Sequence, residues 1–347
     1  MRAMTFDEFG GPVTVRDVPE AVAPPGGVVV EVHASGLCLS DWHAWAGHDD
    51  DIRAFPHVPG HELAGVVAAV GAGVERWRPG DRVTAPFVCG CGRCDWCRSG
   101  QAQVCPHQTQ PGFTHAGSFA ERVVLHAADT NLVALPDGVD DATAASLGCR
   151  FATAYRAVAG RARVRPGERV VVVGAGGVGL SAVMVAAALG ARVVAVDRHE
   201  GAIAAARRAG AEHTVLAGDG VDVPAVVQQL TGGAHVGVDA VGSEGTCADA
   251  VLSLRRRGRH VQVGLLPPAG GHPRVPMSCV IGWELDVLGS HGMAAADYPA
   301  MLALVADGTL RPQDLVDRVV GLEEGARLLP GLDVTPRAGM VVVDPRR

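Results

Sequence analysis

Five of the chain's nine cysteines lie between Cys89 and Cys105. Four of them, Cys91, Cys94, Cys97 and Cys105, stand in the spacing C-x2-C-x2-C-x7-C. Four thiolates so spaced can close a tetrahedron around zinc at about 2.3 Å each, and Gly92 and Gly100 supply the tight turns that loop needs. A 4Fe–4S cluster also takes four cysteines, but its bacterial spacing places the fourth after x3 and before Pro. Here the fourth follows x7, although Pro106 does come next. Zinc is the favoured reading. A four-thiolate site leaves no vacant position for a substrate, so it is structural. Cys89 is surplus to it, a bystander thiol.

Chemistry at a metal needs protein ligands that leave one position open. The candidates are dispersed: Cys38 in GLCLSDWHAWAG, His61 with Glu62 in PGHELAGVVAAVGAGV, and Cys149 in SLGCRFATAY. Taken singly, each reads equally well as an ordinary core or surface side chain.

A second kind of chemistry is written in VGAGGVG, which sets Gly174, Gly176 and Gly179 in GxGxxG register around Gly177 and Val178. An all-valine strand precedes it, a helix follows, and Asp197 ends the next strand. In that setting the first Gly permits the turn, the second admits a pyrophosphate and the third lets helix and strand pack closely. The helix N-terminus offers free N–H groups to phosphates. Asp197 would accept both hydroxyls of the adenosine ribose and repel a 2′-phosphate, which favours NAD over NADP; Arg198 beside it is the residue that could pair with a 2′-phosphate.

The elements that must position these groups fall into two textures. Residues 1 to about 145 hold short apolar runs broken by Gly, Pro and Asp, which predicts a β-rich region. From about residue 150, strands alternate with helices, which predicts a parallel sheet covered on both faces. After about 285 the pattern shifts again, to a helix around Tyr298–Asp307 and a final strand, GMVVVD. The formal net charge is −7. The dense basic run Arg255–Arg259 reads as a solvated helix end and turn, so nothing suggests a nucleic-acid or acidic-membrane footprint. The uncharged stretch Val170–Ala191 imitates a membrane span but is interrupted by five glycines. No export signal is legible at the N-terminus, and clustered CxxC spacing suits metal thiolates in a reducing compartment, so the expected location is the cytoplasm.

Gly60, His61, Glu62, Gly65, Gly71 and Val74 match the string GHE-x2-G-x5-G-x2-V. With GLCLSDWH, the four-Cys lobe, the Cys149 segment and the Gly-rich turn, in that order, the chain resembles the zinc-containing medium-chain alcohol dehydrogenase family nearly end to end. The resemblance implies an α/β protein with a β-rich GroES-like catalytic domain over residues 1–149 and 286–347, carrying a zinc lobe at about 88–106. A Rossmann doubly wound domain would occupy 150–285.

It also implies two zinc ions per chain, the catalytic one on Cys38, His61 and Cys149. Glu62 would be a nearby carboxylate that can tune or transiently bind the metal, Asp41 the acid that orients His61, and Ser40 with His43 a proton relay. Trp45 and Phe87 would line the pocket, with Trp42 and Phe113 as further aromatics nearby. Thr153 would lie against the nicotinamide, Val263 and Gly264 beside its carboxamide, Val241 elsewhere along the cofactor, and Arg337 on the pyrophosphate.

The implied reaction is reversible hydride transfer between a primary or secondary alcohol, aromatic or medium-chain, and NAD, giving an aldehyde or ketone. A homodimer or homotetramer is the implied assembly. Two alternatives stay open: another zinc-dependent dehydrogenase such as a polyol dehydrogenase, and a non-catalytic nucleotide- or zinc-binding protein on the same fold.

One position departs from the pattern. Leu39 stands where many members of that family place Arg or His against the pyrophosphate. Losing that cation should hasten release of the dinucleotide. Leu39→Arg is expected to slow NADH dissociation in stopped-flow measurements; an unchanged off-rate would refute the point.

Overall fold

The protein is described by a computed structural model over residues 1–266, 272–334 and 339–347. Arg337 lies outside the described residues. A short antiparallel ribbon, β1 (Arg2–Thr5) with β2 (Thr14–Asp17), precedes the first sheet. That sheet begins with β3 (Val28–Leu37), β4 (Glu62–Val70), β5 (Arg82–Thr84), β6 (Arg122–Leu125) and β7 (Val133–Ala134). β3 starts as VVVEV, β-branched and largely buried, as a central strand should be. It pairs antiparallel with β4, Gly36 opposite Glu62. The helix Leu39–Trp45 follows β3 directly.

Between Asp141 and Arg161 the backbone is helical throughout but changes pitch. It is α over Asp141–Ser146, π over Leu147–Phe151, α over Ala152–Tyr155 and π over Arg156–Arg161. Asp140 caps its start, accepting the Thr143 N–H at 2.9 Å.

The second sheet holds β8 (Arg169–Val173), β9 (Arg192–Asp197), β10 (His213–Leu216), β11 (Ala234–Asp239), β12 (Leu254–Gln262) and β13 (Asp286–Gly289). Its strands are all parallel, in the order β10-β9-β8-β11-β12-β13. Along β8, Val170 and Val172 pack into the cluster shared with the helices Gly177–Ala188 and Glu200–Arg208. Val171 and Val173 pack with Val223–Thr231 and Glu244–Leu252 on the opposite face. A strand covered on both faces has no polar side, which is why its sequence does not alternate. The helix Gly177–Ala188 is apolar all round because the sheet and the mixed-pitch helix cover it together.

Two expectations are corrected. Arg255–Arg259 lies within the bounds of β12 and not at a helix end, although Arg255, Arg256 and Arg257 are exposed as expected. Of the run, only Arg259 pairs with β11 and β13. Residues 255–258 bulge out between the Leu254 and Arg259 pairs, Arg257 at φ +59° donating its N–H to the Trp283 carbonyl at 2.8 Å, while its guanidinium meets Glu284 at 2.9 Å and Arg259 meets Glu168 at 2.5 Å. The divide expected at residue 285 also falls too early, because Asp286–Gly289 pairs with β12 as the last strand of the parallel sheet. Val170–Ala191 divides into β8, a glycine turn and a twelve-residue helix. Among the described residues no helix is long and apolar enough to cross a membrane.

Past the helix Tyr298–Ala306 the chain rejoins the first sheet through β14 (Val316–Val320) and β15 (Met340–Val343). β15 pairs with the end of β3, Val341 opposite Leu37 and Val343 opposite Ser35. The strand that delivers Cys38 is thus held on both edges, by β4 and β15.

A Cβ on Gly179 would strike the Gly174 carbonyl oxygen, whereas one on Gly176 would meet nothing within 4 Å. Gly179→Ala should therefore destabilise the protein by about 1–3 kcal/mol in urea unfolding, the usual range for overpacking. Gly176→Ala should cost no more than about 1 kcal/mol, since it replaces a tolerated cap residue. Equal effects would mean that the close helix–strand contact is not what requires glycine.

Candidate active site

The pairing of β3 with β4 brings Cys38 and His61 together, since each lies just beyond the Gly36–Glu62 pair. Cys149 arrives from the first π-helical turn. One ligand atom from each of Cys38, His61, Glu62 and Cys149 lies within 4.8 Å of the other three, and all four residues are buried. Asp41, in the first turn of the helix Leu39–Trp45, fixes two of these groups. Its Oδ2 accepts the Cys38 backbone N–H at 2.9 Å, and its Oδ1 accepts the Gly60 N–H at 3.2 Å and His61 Nδ1–H at 2.8 Å. With Nδ1 committed as a donor, His61 Nε2 carries the lone pair. That nitrogen is buried and has no hydrogen-bond partner among the described residues. An orphaned imidazole nitrogen beside two sulfurs is a donor set suited to zinc.

The electrostatics agree with the geometry. Contact with the Cys149 thiol pushes Cys38 well down, against the effect of burial, and His61 adds to the same pull. Cys149 is pushed well up by the same contact and by burial. A dication placed between the two sulfurs would favour the thiolate form of both. Burial opposes a charge on His61, yet the Asp41 carboxylate overrides it and raises the imidazole's basicity.

The π pitch of the Cys149 turn is held by named contacts. Tyr298, fully buried, donates its hydroxyl to the Leu147 carbonyl at 3.0 Å. A Cβ on Gly148 would stand 2.9 Å from the Glu62 Cα, so glycine lets this turn press against β4. The next residue after Cys149, Arg150, is also buried and grips Glu62. Its backbone N–H and its Nε donate to Glu62 Oε1 at 2.8 and 3.0 Å, and a terminal guanidinium nitrogen donates to Oε2.

Ser40 and His43 occupy the same short helix as Asp41. The Ser40 hydroxyl lies 3.7 Å from the Cys38 sulfur. His43 Nδ1 is 3.0 Å from Nδ1 of His48, which is exposed. Burial and then the neighbouring His48 push His43 down, against Cys38 and Asp333. Phe87 and Phe113 both approach the His61 ring, with centroids at 6.1 and 5.3 Å. Trp45 donates its indole N–H to the Gly11 carbonyl at 2.8 Å and packs in the cluster that contains Phe113. Trp42 turns to a different cluster, around Leu322 and Leu329.

At the second sheet, Gly174 follows β8 with φ +90° and Gly176 caps the helix Gly177–Ala188. Val241 follows β11, and its side chain occupies the space a Gly174 Cβ would need. Val263 and Gly264 follow β12, both donating backbone N–H to the Asp239 carbonyl, at 3.0 and 2.9 Å. These groups share the carboxyl edge of the sheet, and β8 and β11 are the strands between which the order reverses, the usual ligand crevice of such sheets. Asp197 accepts the Ala175 N–H at 2.7 Å and the His199 N–H at 2.9 Å. Arg198 is exposed and turned towards His199, its Nε 3.2 Å from the ring nitrogen. Thr153 Oγ1, between the metal cluster and this sheet in sequence, is buried with no partner among the described residues.

Cys91, Cys94, Cys97 and Cys105 converge as a second cluster, their sulfurs within 4.8 Å of one another. Cys94 lies 3.5 Å from Cys97 and 3.7 Å from Cys105. Sulfurs placed about 2.3 Å from a tetrahedral zinc stand about 3.8 Å apart, so these separations suit the ion and exclude disulfides. Backbone N–H groups of Arg93 and Cys94 aim at Cys91 and lower its thiol to about 6. Cys89 is buried outside the cluster, its thiol pushed up to about 12 by burial.

Sequence reasoning missed Arg150, Tyr298 and His48. None had a spacing signal; Arg150 finds its partner 88 residues away.

Profiles of the alcohol dehydrogenase GroES-like domain and of the zinc-binding dehydrogenase domain match residues 24–137 and 177–307. An alcohol dehydrogenase from Geobacillus stearothermophilus is 33% identical over 312 residues, 90% of this chain and 90% of that protein. The crystal structure of an NAD-dependent alcohol dehydrogenase shares 33% identity and a TM-score of 0.89 over 99% of both chains. The cobalt- and zinc-bound thermostable alcohol dehydrogenase from Pyrobaculum aerophilum shares 30% identity and a TM-score of 0.84, again over 99% of both. Likeness of that extent makes the chain a member of the zinc-containing medium-chain alcohol dehydrogenase family, and an alcohol dehydrogenase.

Proposed function

We propose that Cys38, His61 and Cys149 hold the catalytic zinc, that Cys91, Cys94, Cys97 and Cys105 hold a structural one, and that the enzyme interconverts a primary or secondary alcohol with its aldehyde or ketone using NAD. The observation that carries this reading is the orphaned His61 Nε2 between two buried sulfurs. Bound there, zinc supplies Lewis-acid polarisation of the substrate oxygen. The dinucleotide supplies the hydride acceptor.

The remaining work falls to the chain. Asp41 keeps His61 in one tautomer and one orientation. Ser40 stands beside Cys38 to take the alcohol proton, and His43 passes it outward. Burial and the neighbouring His48 push His43 down, which favours the neutral ring that can accept that proton. Phe87 and Phe113, backed by Trp45, wall the approach to His61 with apolar surface, which suits a medium-chain or aromatic alcohol. Gly174, Gly176, Gly177, Val178 and Gly179 cradle the pyrophosphate. Thr153, Val241, Val263 and Gly264 meet the nicotinamide half, and Arg337 is assigned to the phosphates. Asp197 favours NAD over NADP, since the acidic group meets the ribose while Arg198 faces His199.

We divide the chain into a GroES-like catalytic domain of residues 1–149 and 290–347 and a Rossmann domain of 150–289. A homodimer or homotetramer is supported by the unpaired edge of β13, beside exposed Val287 and Ile281. A cytoplasmic location is supported by nine unpaired cysteines.

Cys149→Ala is expected to abolish NAD reduction at 340 nm with a panel of alcohols and to lose about one zinc per chain, with thermal unfolding little changed. Cys97→Ala should also lose about one zinc, but should lower the unfolding midpoint, because a closed metal site contributes folding free energy. If Cys97→Ala were inactive yet fully stable, the roles of the two clusters would be reversed.

A further inference from the structure

The catalytic cluster poses a problem of number. Four donors, and not three, lie within 4.8 Å of one another: Cys38, His61, Cys149 and Glu62. Four protein ligands would close a tetrahedral zinc site, as in the cysteine lobe, and exclude substrate. Something must hold Glu62 back.

Arg150 is placed to do this. Its backbone N–H and Nε reach Glu62 Oε1 at 2.8 and 3.0 Å, the same Nε reaches Oε2 at 3.0 Å, and a terminal nitrogen also engages Oε2. Both carboxylate oxygens are thus occupied by one guanidinium in the fork geometry that holds a carboxylate most firmly. Glu62 is 0% exposed and Arg150 7%, so the pair is largely withdrawn from bulk water.

The guanidinium is itself fixed on two sides. A Cβ on Gly36, at the end of β3, would stand 2.7 Å from an Arg150 terminal nitrogen and would strike Glu62 Oε2. A Cβ on Gly177, at the start of the phosphate-side helix, would stand 2.5 Å from Arg150 Cδ. The pair lies in a slot that only glycine walls leave open. Arg150 also follows Cys149 directly, so the turn that delivers the third sulfur delivers the clamp as well.

We infer that Arg150 is a positioning residue that withholds Glu62 from the catalytic metal and so keeps its fourth position vacant for substrate. The inference rests on the reading of Cys38, His61 and Cys149 as zinc ligands. Without the guanidinium, the carboxylate has no other buried arginine or lysine among the described residues to turn to and joins the metal.

The test is zinc release from the purified holoenzyme to 4-(2-pyridylazo)resorcinol, followed by absorbance. Damage to a merely structural residue speeds metal loss; release of Glu62 onto the metal slows it. Arg150→Gln should release the catalytic zinc about 10-fold more slowly than the unaltered enzyme and lower kcat by about 10–100-fold, the scale on which partners of ligands act. Adding Glu62→Gln to Arg150→Gln should abolish the slowing, because the amide is a poor zinc ligand. Arg150→Lys, which keeps the positive charge but cannot grip both oxygens, should show a smaller slowing, and it decides the matter if Arg150→Gln does not fold. Release as fast as or faster than in the unaltered enzyme, in whichever of these variants folds, overturns the inference. Retention of both zinc ions by Cys149→Ala would instead overturn the ligand assignment beneath it.

Discussion

One buried carboxylate organises the catalytic centre. Asp41 is inaccessible to water and accepts three hydrogen bonds, from the Cys38 and Gly60 backbones and from His61 Nδ1. A buried acid is costly unless its lone pairs are used, and here their use fixes relative position. The start of the helix Leu39–Trp45, the approach to β4 and the imidazole tautomer are set together. Displacing the Cys38 N–H strands Oδ2 in the interior, and displacing Gly60 or His61 halves the bonds to Oδ1. The precision of the centre therefore follows from the cost of leaving Asp41 unsatisfied, and the strand pairing of β3 with β4 and β15 makes that arrangement rigid.

On the proposed assignment, similar ligands serve different ends in the two cysteine clusters. In the lobe, all four sulfurs come from one short segment, and backbone N–H groups at residues 93 and 94 aim at Cys91 and favour its thiolate form. Closure there is local and complete. At the catalytic centre, ligands from β3, β4 and the π-helical turn meet across the fold, and the number of donors is settled by a neighbour. Local chain geometry builds a closed site; long-range packing builds an open one.

That contrast also explains what could be read from the amino-acid sequence. The lobe was legible because its spacing is confined to Cys91–Cys105. The glycine turn was legible because Gly179 meets the Gly174 carbonyl, a contact no side chain survives. The trio Cys38, His61 and Cys149 was legible through resemblance alone, since nothing local to any of them names the others. Arg150 was not legible: an arginine in an apolar stretch gives no hint of a partner at Glu62. The π pitch over Leu147–Phe151 escaped too, because it depends on Tyr298 reaching back from a distant helix. The basic run Arg255–Arg259 misled because nothing local announces that Arg259 joins the ladder of β12 and meets Glu168, 91 residues away.

The Glu62–Arg150 pair is poorly explained by stability. Removing two ions from water costs several kcal/mol each, and apolar replacements of equal volume often leave a protein as stable or more so. A core that needed only to be filled at this point would do as well with two aliphatic side chains. The pair instead joins two parts of the molecule through narrow glycine-lined contacts, Gly36 on the first sheet and Gly177 at the head of the phosphate-side helix. Its fixed dipole lies beside the metal donors, and its stem lies against the helix whose N-terminus faces the dinucleotide crevice. A rigid, desolvated, paired charge holds its direction where a flexible or hydrated one would not. The desolvation cost secures orientation at the junction of the two binding sites, and that is where an alcohol dehydrogenase needs the number of metal ligands to stay fixed.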